Sequence, residues 1–151
     1  MIPIVAIMLA LVGAPASTTV QCAPLNGYDG WTEWDVTPIE ITLTPEMCLG
    51  LGYLEQSQHT LAQMTTMDPG IDVAVARSAL ILLHEASHAA GYRNETDTEC
   101  HALSLLPMLV WQEGLDPAVL DYAYAYDRNW SDAYHQHECL PADARPISGP
   151  S

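Results

Sequence analysis

A chain of 151 residues with 19 acidic side chains, four arginines and no lysine carries a formal charge of −15. That balance excludes nucleic-acid binding and an acidic membrane surface, because both depend on clustered cations that this chain lacks. The length suits one domain with one core, and the acid surplus reads as solubility.

The first residues, MIPIVAIMLALVGAPASTT, set an apolar run from Ile4 to Leu11 before the small-residue pattern Ala14-Pro15-Ala16. This shape predicts a secretory leader over 1–16, cleaved after Ala16, although no Lys or Arg precedes the run. The run is too short to span a bilayer, so no stable membrane insertion is expected once the leader is removed. The expected location is secreted or extracytoplasmic. The mature part keeps four cysteines, Cys22, Cys48, Cys100 and Cys139, none in a CxxC spacing. An even number in a small exported domain implies disulfides rather than a thiolate metal site. Of the three pairings, Cys22–Cys48 with Cys100–Cys139 keeps each bridge within one half of the domain and is the one expected.

Residues 17–38 are rich in Thr, Pro, Gly and Asp and read as loop, with a short hairpin around WTEWDV. Ile39-Glu40-Ile41-Thr42-Leu43 alternates as a half-buried strand does. Thr44-Pro45-Glu46 supplies an N-cap, a proline at the first helical position and a first-turn acid. The helix they open is expected to reach about Met67, with Leu49, Tyr53 and Leu54 on its buried side, before the turn Asp68-Pro69-Gly70. A second helix from near Asp72 carries VAVARSALILLHEASHAA, apolar almost all round, and is therefore expected at the centre of the fold. Gly91 stops it. Asn94 is positioned to cap a third helix, with Asp97 three residues on and a kink or break expected at Pro107. Asp116-Pro117 opens a fourth helix, ending near Trp130, and the tail 141–151 is expected to be flexible. The whole predicts a single domain over 17–140, mainly α with a small β element.

The chemistry concentrates in His84-Glu85-Ala86-Ser87-His88. Two histidines four apart on a helix stand on one face, one turn from each other, and can reach one tetrahedral Zn²⁺ at about 2.0–2.1 Å. Glu85, beside the first ligand, is placed to take a proton from a water on that metal. The alternative is a pair of structural histidines. It requires two buried rings to find other partners, at a cost on the order of a few kcal/mol for each that does not.

A third ligand is available on the next helix. His84-Glu85-x-x-His88 followed by Asn94-Glu95-Thr96-Asp97-Thr98-Glu99 resembles the gluzincin, thermolysin-like zinc peptidases, over residues 84–102. The resemblance implies a minimal zincin-like domain that hydrolyses peptide bonds, with a peptide or protein as substrate. It makes Glu95 the third zinc ligand and Glu99 the acid that braces the first histidine. The connection between the two motifs is shorter here than in thermolysin, and Glu stands at 99 where that family has Asp. By spacing alone, Glu95 and Glu99 share one helical face, so either can ligate while the other accepts a ring N–H. The metzincin string HExxHxxGxxH matches at Gly91 but meets Asn94 where a third histidine is required. His137, two residues before Cys139, is a candidate oxyanion donor, and His135 could add a second metal clip. His59 and His101 read as structural, and Tyr122, Tyr124 and Tyr126 as partly core. The alternative from another class is a secreted, disulfide-stabilised zinc-binding or interaction protein without turnover. A peptidase-like regulator acting on one dedicated partner is a third.

Overall fold

The computed structural model describes residues 2–60, 73–129 and 139–141. Among these residues, five helices and three short strands follow in the order α1 (Pro3–Val12), β1 (Thr19–Cys22), β2 (Gly30–Glu33), β3 (Glu40–Leu43), α2 (Pro45–Thr60), α3 (Val73–Ala89), α4 (Glu95–Glu113) and α5 (Ala118–Asn129). The protein is mainly helical with a small sheet, as the sequence pattern predicts. The sheet has β3 in the middle, parallel to β1 and antiparallel to β2. On β3 the period of two buries Ile41 and Leu43, and on β2 the buried positions are Gly30 and Thr32. Those two residues face α3, the helix against which every other helix packs.

The expected caps are in place. The Asp97 backbone N–H donates to Asn94 Oδ1 (3.0 Å), and that of Ala118 to Asp116 Oδ1 (2.9 Å). Gly91, with φ of 117°, turns the chain out of α3 in a conformation that favours glycine. Of the kink or break expected at Pro107, the break is not found: α4 runs through the proline as one helix. One missing backbone donor is tolerated there because Leu103, Leu106, Leu109 and Val110 hold both sides of the proline in the core.

The buried side of α2 also differs from the expected one. Leu54 is buried, but Leu49 and Tyr53 are exposed, and the inward stripe is Met47, Gly50, Leu51 and Leu54. The reason is Gly50, whose missing side chain lets α2 approach α3 closely. A Cβ there would lie 2.6 Å from Ser78 Oγ and 2.8 Å from Ser78 Cβ. The expected end of this helix, at 61–67, lies outside the described residues, as do the start of α3 at Asp72 and the tail 142–151.

The expected leader segment contains α1, whose Ile4, Val5, Met8, Leu9 and Val12 are buried. Glu55 Oε2 accepts the Ile4 N–H at 2.7 Å. The Ala16–Ser17 bond sits in an exposed turn between α1 and β1. Cys22–Cys48 joins β1 to α2, and Cys100–Cys139 joins α4 to the segment after α5. Two disulfides suit an oxidising, extracytoplasmic compartment. No helix among the described residues is long and apolar enough to cross a membrane.

The two glycines of α2 provide a direct test of the close packing. Gly50→Ala is expected to destabilise the fold by about 1–3 kcal/mol through overpacking against Ser78. Gly52→Ala, with nothing within 4 Å of the added carbon, is expected to be neutral or stabilising by up to about 1 kcal/mol. Urea unfolding of the two variants measures the difference, and equal shifts would refute the α2–α3 contact.

Candidate metal centre

His84 and His88 project from the last two turns of α3 on the side that faces α4 and β2. Their rings meet edge to face with centroids 4.9 Å apart. Each ring has its Nδ1 engaged: His84 Nδ1 lies 2.6 Å from Glu99 Oε2, and His88 Nδ1 lies 2.8 Å from the Tyr92 carbonyl oxygen. Nδ1–H therefore donates in both rings, which leaves both Nε2 atoms pointing to one space. Glu95 closes that space, with Oε2 3.0 Å from His84 Nε2 and Oε1 3.2 Å from His88 Nε2. These three residues form a group that could hold a metal ion, with one ligand atom from each all within 4.8 Å of one another.

The arrangement assigns the two acids different places. Glu95 faces the Nε2 side and is 45% exposed, whereas Glu99 is buried behind His84. Their separation follows from α4 folding back along α3 after the turn at Gly91. Glu95, in the first turn, reaches the open rim, and Glu99, one turn deeper, reaches the interior.

Electrostatics follow the same geometry. Burial by itself would lower the His84 pKa, but hydrogen bonds to Glu95 and Glu99 outweigh it and raise the value to about 10 in the metal-free chain. Glu95 is held below the usual carboxylate range, first by its hydrogen bond to His84. Burial pushes Glu85 above its ordinary value, although His84 and the Thr32 hydroxyl oppose the rise.

Glu85 points toward β2 and lines the same pocket as the two histidines. Thr32 Oγ1 lies 2.6 Å from Glu85 Oε2 and 2.9 Å from the Glu85 carbonyl oxygen, so one hydroxyl serves two acceptors. Gly30 makes room for the carboxylate: a Cβ there would fall 2.7 Å from Glu85 Cγ and 3.1 Å from Oε1. Trp34 packs its ring on His88, with centroids 5.2 Å apart, and the Arg93 guanidinium lies over the Trp34 ring at 4.6 Å. Arg93 Nη1 also donates to the His88 carbonyl oxygen at 2.6 Å.

An open cleft of about 630 Å³ runs over this cluster. Tyr28, Trp31 and Trp34 give it an aromatic wall, and Arg77, paired with Asp29, and Tyr126 line it as well. Burial raises the Tyr126 pKa to about 12, so its hydroxyl stays a donor.

Of the expected site residues, His84, Glu85, His88, Glu95 and Glu99 come together. His135 and His137 lie outside the described residues, as does the side chain of His59. His101 stacks on Tyr92 away from the metal group, with centroids 4.3 Å apart. Tyr122, Tyr124 and Tyr126 all pack on the core as expected, and Tyr126 also lines the cleft. Gly30, Thr32, Trp34 and Arg77 are absent from the expected set. For Gly30 and Thr32 the available signal was a strand with glycine and threonine on one face. For Arg77 it was a cation seven residues before His84 on an otherwise apolar helix. Comparison with models of known protein families, with curated proteins and with solved structures finds no match to this chain.

The role of Thr32 is open to measurement. Thr32→Val keeps the shape but strips a hydrogen bond from a buried carboxylate, so it is expected to cost about 1–3 kcal/mol of stability. Thr32→Ser should recover most of that. Chemical denaturation reads both, and a Val variant as stable as wild type would refute the contact.

Proposed function

We propose that this protein is an exported zinc peptidase of the gluzincin kind, with its leader removed after Ala16, Zn²⁺ on His84, His88 and Glu95, and Glu85 as general base. The observation that carries the reading is the convergence of two imidazole Nε2 atoms on one carboxylate, with both Nδ1 atoms already engaged. Two imidazoles and a carboxylate form the donor set of catalytic zinc sites, which keep a further position open. The half-exposed Glu95 and the cleft beside it leave that side accessible.

When bound, Zn²⁺ would supply Lewis-acid polarisation of a peptide carbonyl and would acidify water. The chain's own residues do the rest. Glu85, kept close to the ligands by Thr32, accepts the proton of the attacking water and passes it to the leaving amine nitrogen. Glu99 holds His84 in the tautomer that frees Nε2, and the Tyr92 carbonyl does the same for His88. The substrate is a peptide or protein laid along the cleft.

Purified protein is expected to carry about one Zn²⁺ per chain, which His84→Ala or His88→Ala removes. Glu95→Gln should nearly abolish retention, whereas Glu99→Gln should weaken affinity by roughly 10–100-fold. The opposite order would exchange their roles.

Glu85→Gln tests catalysis itself. The variant should keep its zinc and lose at least about 10²-fold of peptide turnover at matched metal content, because Gln cannot accept the proton. Equal cleavage by both proteins would refute the role of Glu85. Zinc bound with no cleavage of any library peptide by wild type would favour the secreted zinc-binding protein without turnover.

A further inference from the structure

Behind Glu99 lies another acid that the proposed chemistry does not use. Asp127, near the end of α5, is 1% exposed and hydrogen-bonded to Glu99, itself 7% exposed. It occupies the apolar stripe of its helix, in line with Val119 and Ala123, both fully buried. Charged groups are rare in such a position unless paired. Two carboxyl groups in hydrogen-bond contact inside a protein cannot both ionise at ordinary pH. Glu99 faces the His84 Nδ1–H and keeps the negative charge, so the shared proton resides on Asp127. Burial, which disfavours the charged form, and repulsion from the neighbouring Glu99 together raise the Asp127 pKa to about 8. The groups that bear on it are Glu99 from α4 and His84 from α3.

We propose that Asp127 is a positioning residue of the metal site: by donating a hydrogen bond to Glu99, it fixes the carboxylate that receives His84 Nδ1–H. The inference rests on the metal reading above. It links three helices in one chain of hydrogen bonds, from α5 through α4 to α3. Without Asp127, Glu99 would keep one strong partner but lose the donor that locks its rotamer. His84 would then hold its ring less firmly toward Glu95.

Asp127→Asn and Asp127→Ala separate this role from simple packing. Asn keeps a donor toward Glu99 at every pH, and Ala has none. Competition against a chromophoric chelator should give Asp127→Asn a Zn²⁺ affinity close to that of wild type. Asp127→Ala should be weaker by roughly 10-fold, the low end for a group that orients a ligand through another. A second readout uses the metal-free protein. The short His84 Nδ1–H bond to Glu99 should give a far-downfield proton resonance, identified by its loss in His84→Ala. It should persist in Asp127→Asn and disappear in Asp127→Ala.

The pH profile gives an arm that does not depend on the Ala variant folding. The folded-state pKa of Asp127 lies above its ordinary 3.8. The stability it contributes is therefore complete below about pH 4 and lost as pH rises through about 8. Relative to wild type, Asp127→Asn should gain stability over that window and should hold the resonance above pH 8, where wild type loses it. Wild-type zinc affinity in Asp127→Ala, or an Asn variant as impaired as the Ala variant, would overturn the proposal. So would a stability profile that Asp127→Asn leaves unchanged. If wild type binds no zinc, the metal reading falls and takes the positioning role with it. The downfield resonance would still report whether the hydrogen-bond chain exists, which keeps the two failures distinct.

Discussion

Burying a polar face at the centre of the fold is the constraint on which the rest of this structure depends. Helix α3 packs against every other helix and against the sheet, yet its last turns carry His84, Glu85 and His88. Each of their polar atoms must find a partner where water is scarce, or the fold loses on the order of a few kcal/mol for each one left over. The neighbouring elements meet that demand one atom at a time. Strand β2 offers the Thr32 hydroxyl to Glu85, the turn after α3 offers the Tyr92 carbonyl to His88, and α4 offers Glu99 to His84. The turn is as necessary as the helices. Gly91 in its left-handed conformation and the Asn94 cap return the chain so that α4 begins beside the end of α3.

Much of this was legible in the sequence because it rests on local rules. The 3.6 period, the caps at Asn94 and Asp116, and the stop at Gly91 each depend on a few adjacent residues. His84, His88 and Glu85 were legible because i,i+4 spacing places ligands on one face whatever surrounds them. Spacing alone could not separate Glu95 from Glu99, since both lie on one helical face. What separates them is depth, a property of the α3–α4 packing. The buried side of α2 failed for a related reason: large apolar residues suggested Leu49 and Tyr53, but a glycine set the closest approach. Thr32 lies 53 residues from Glu85, and Asp127 lies 28 from Glu99, so no local pattern could connect either pair.

The same view explains why the cluster has more acid than two structural histidines would need. A buried imidazole is satisfied once its ring N–H has an acceptor, and Glu99 and the Tyr92 carbonyl already provide one for each ring. Glu95 is surplus to that purpose. It faces both Nε2 atoms from the open side, where a solvated carboxylate would otherwise have no reason to converge on them. Glu85 and Asp127 add further acid within the same region, while the nearby cations are committed elsewhere: Arg77 to Asp29, and Arg93 to Trp34 and the His88 carbonyl. The site therefore demands positive charge that no lysine or arginine supplies. In the metal-free chain His84 answers it by keeping its proton up to about pH 10, and Asp127 by holding a proton that an exposed aspartate would release. A divalent cation between the two Nε2 atoms and Glu95 would answer the same demand with one ion. The acid surplus of the whole chain thus has two components: a dispersed one that serves solubility, and a local one at the place where His84, His88 and Glu95 could hold a metal ion.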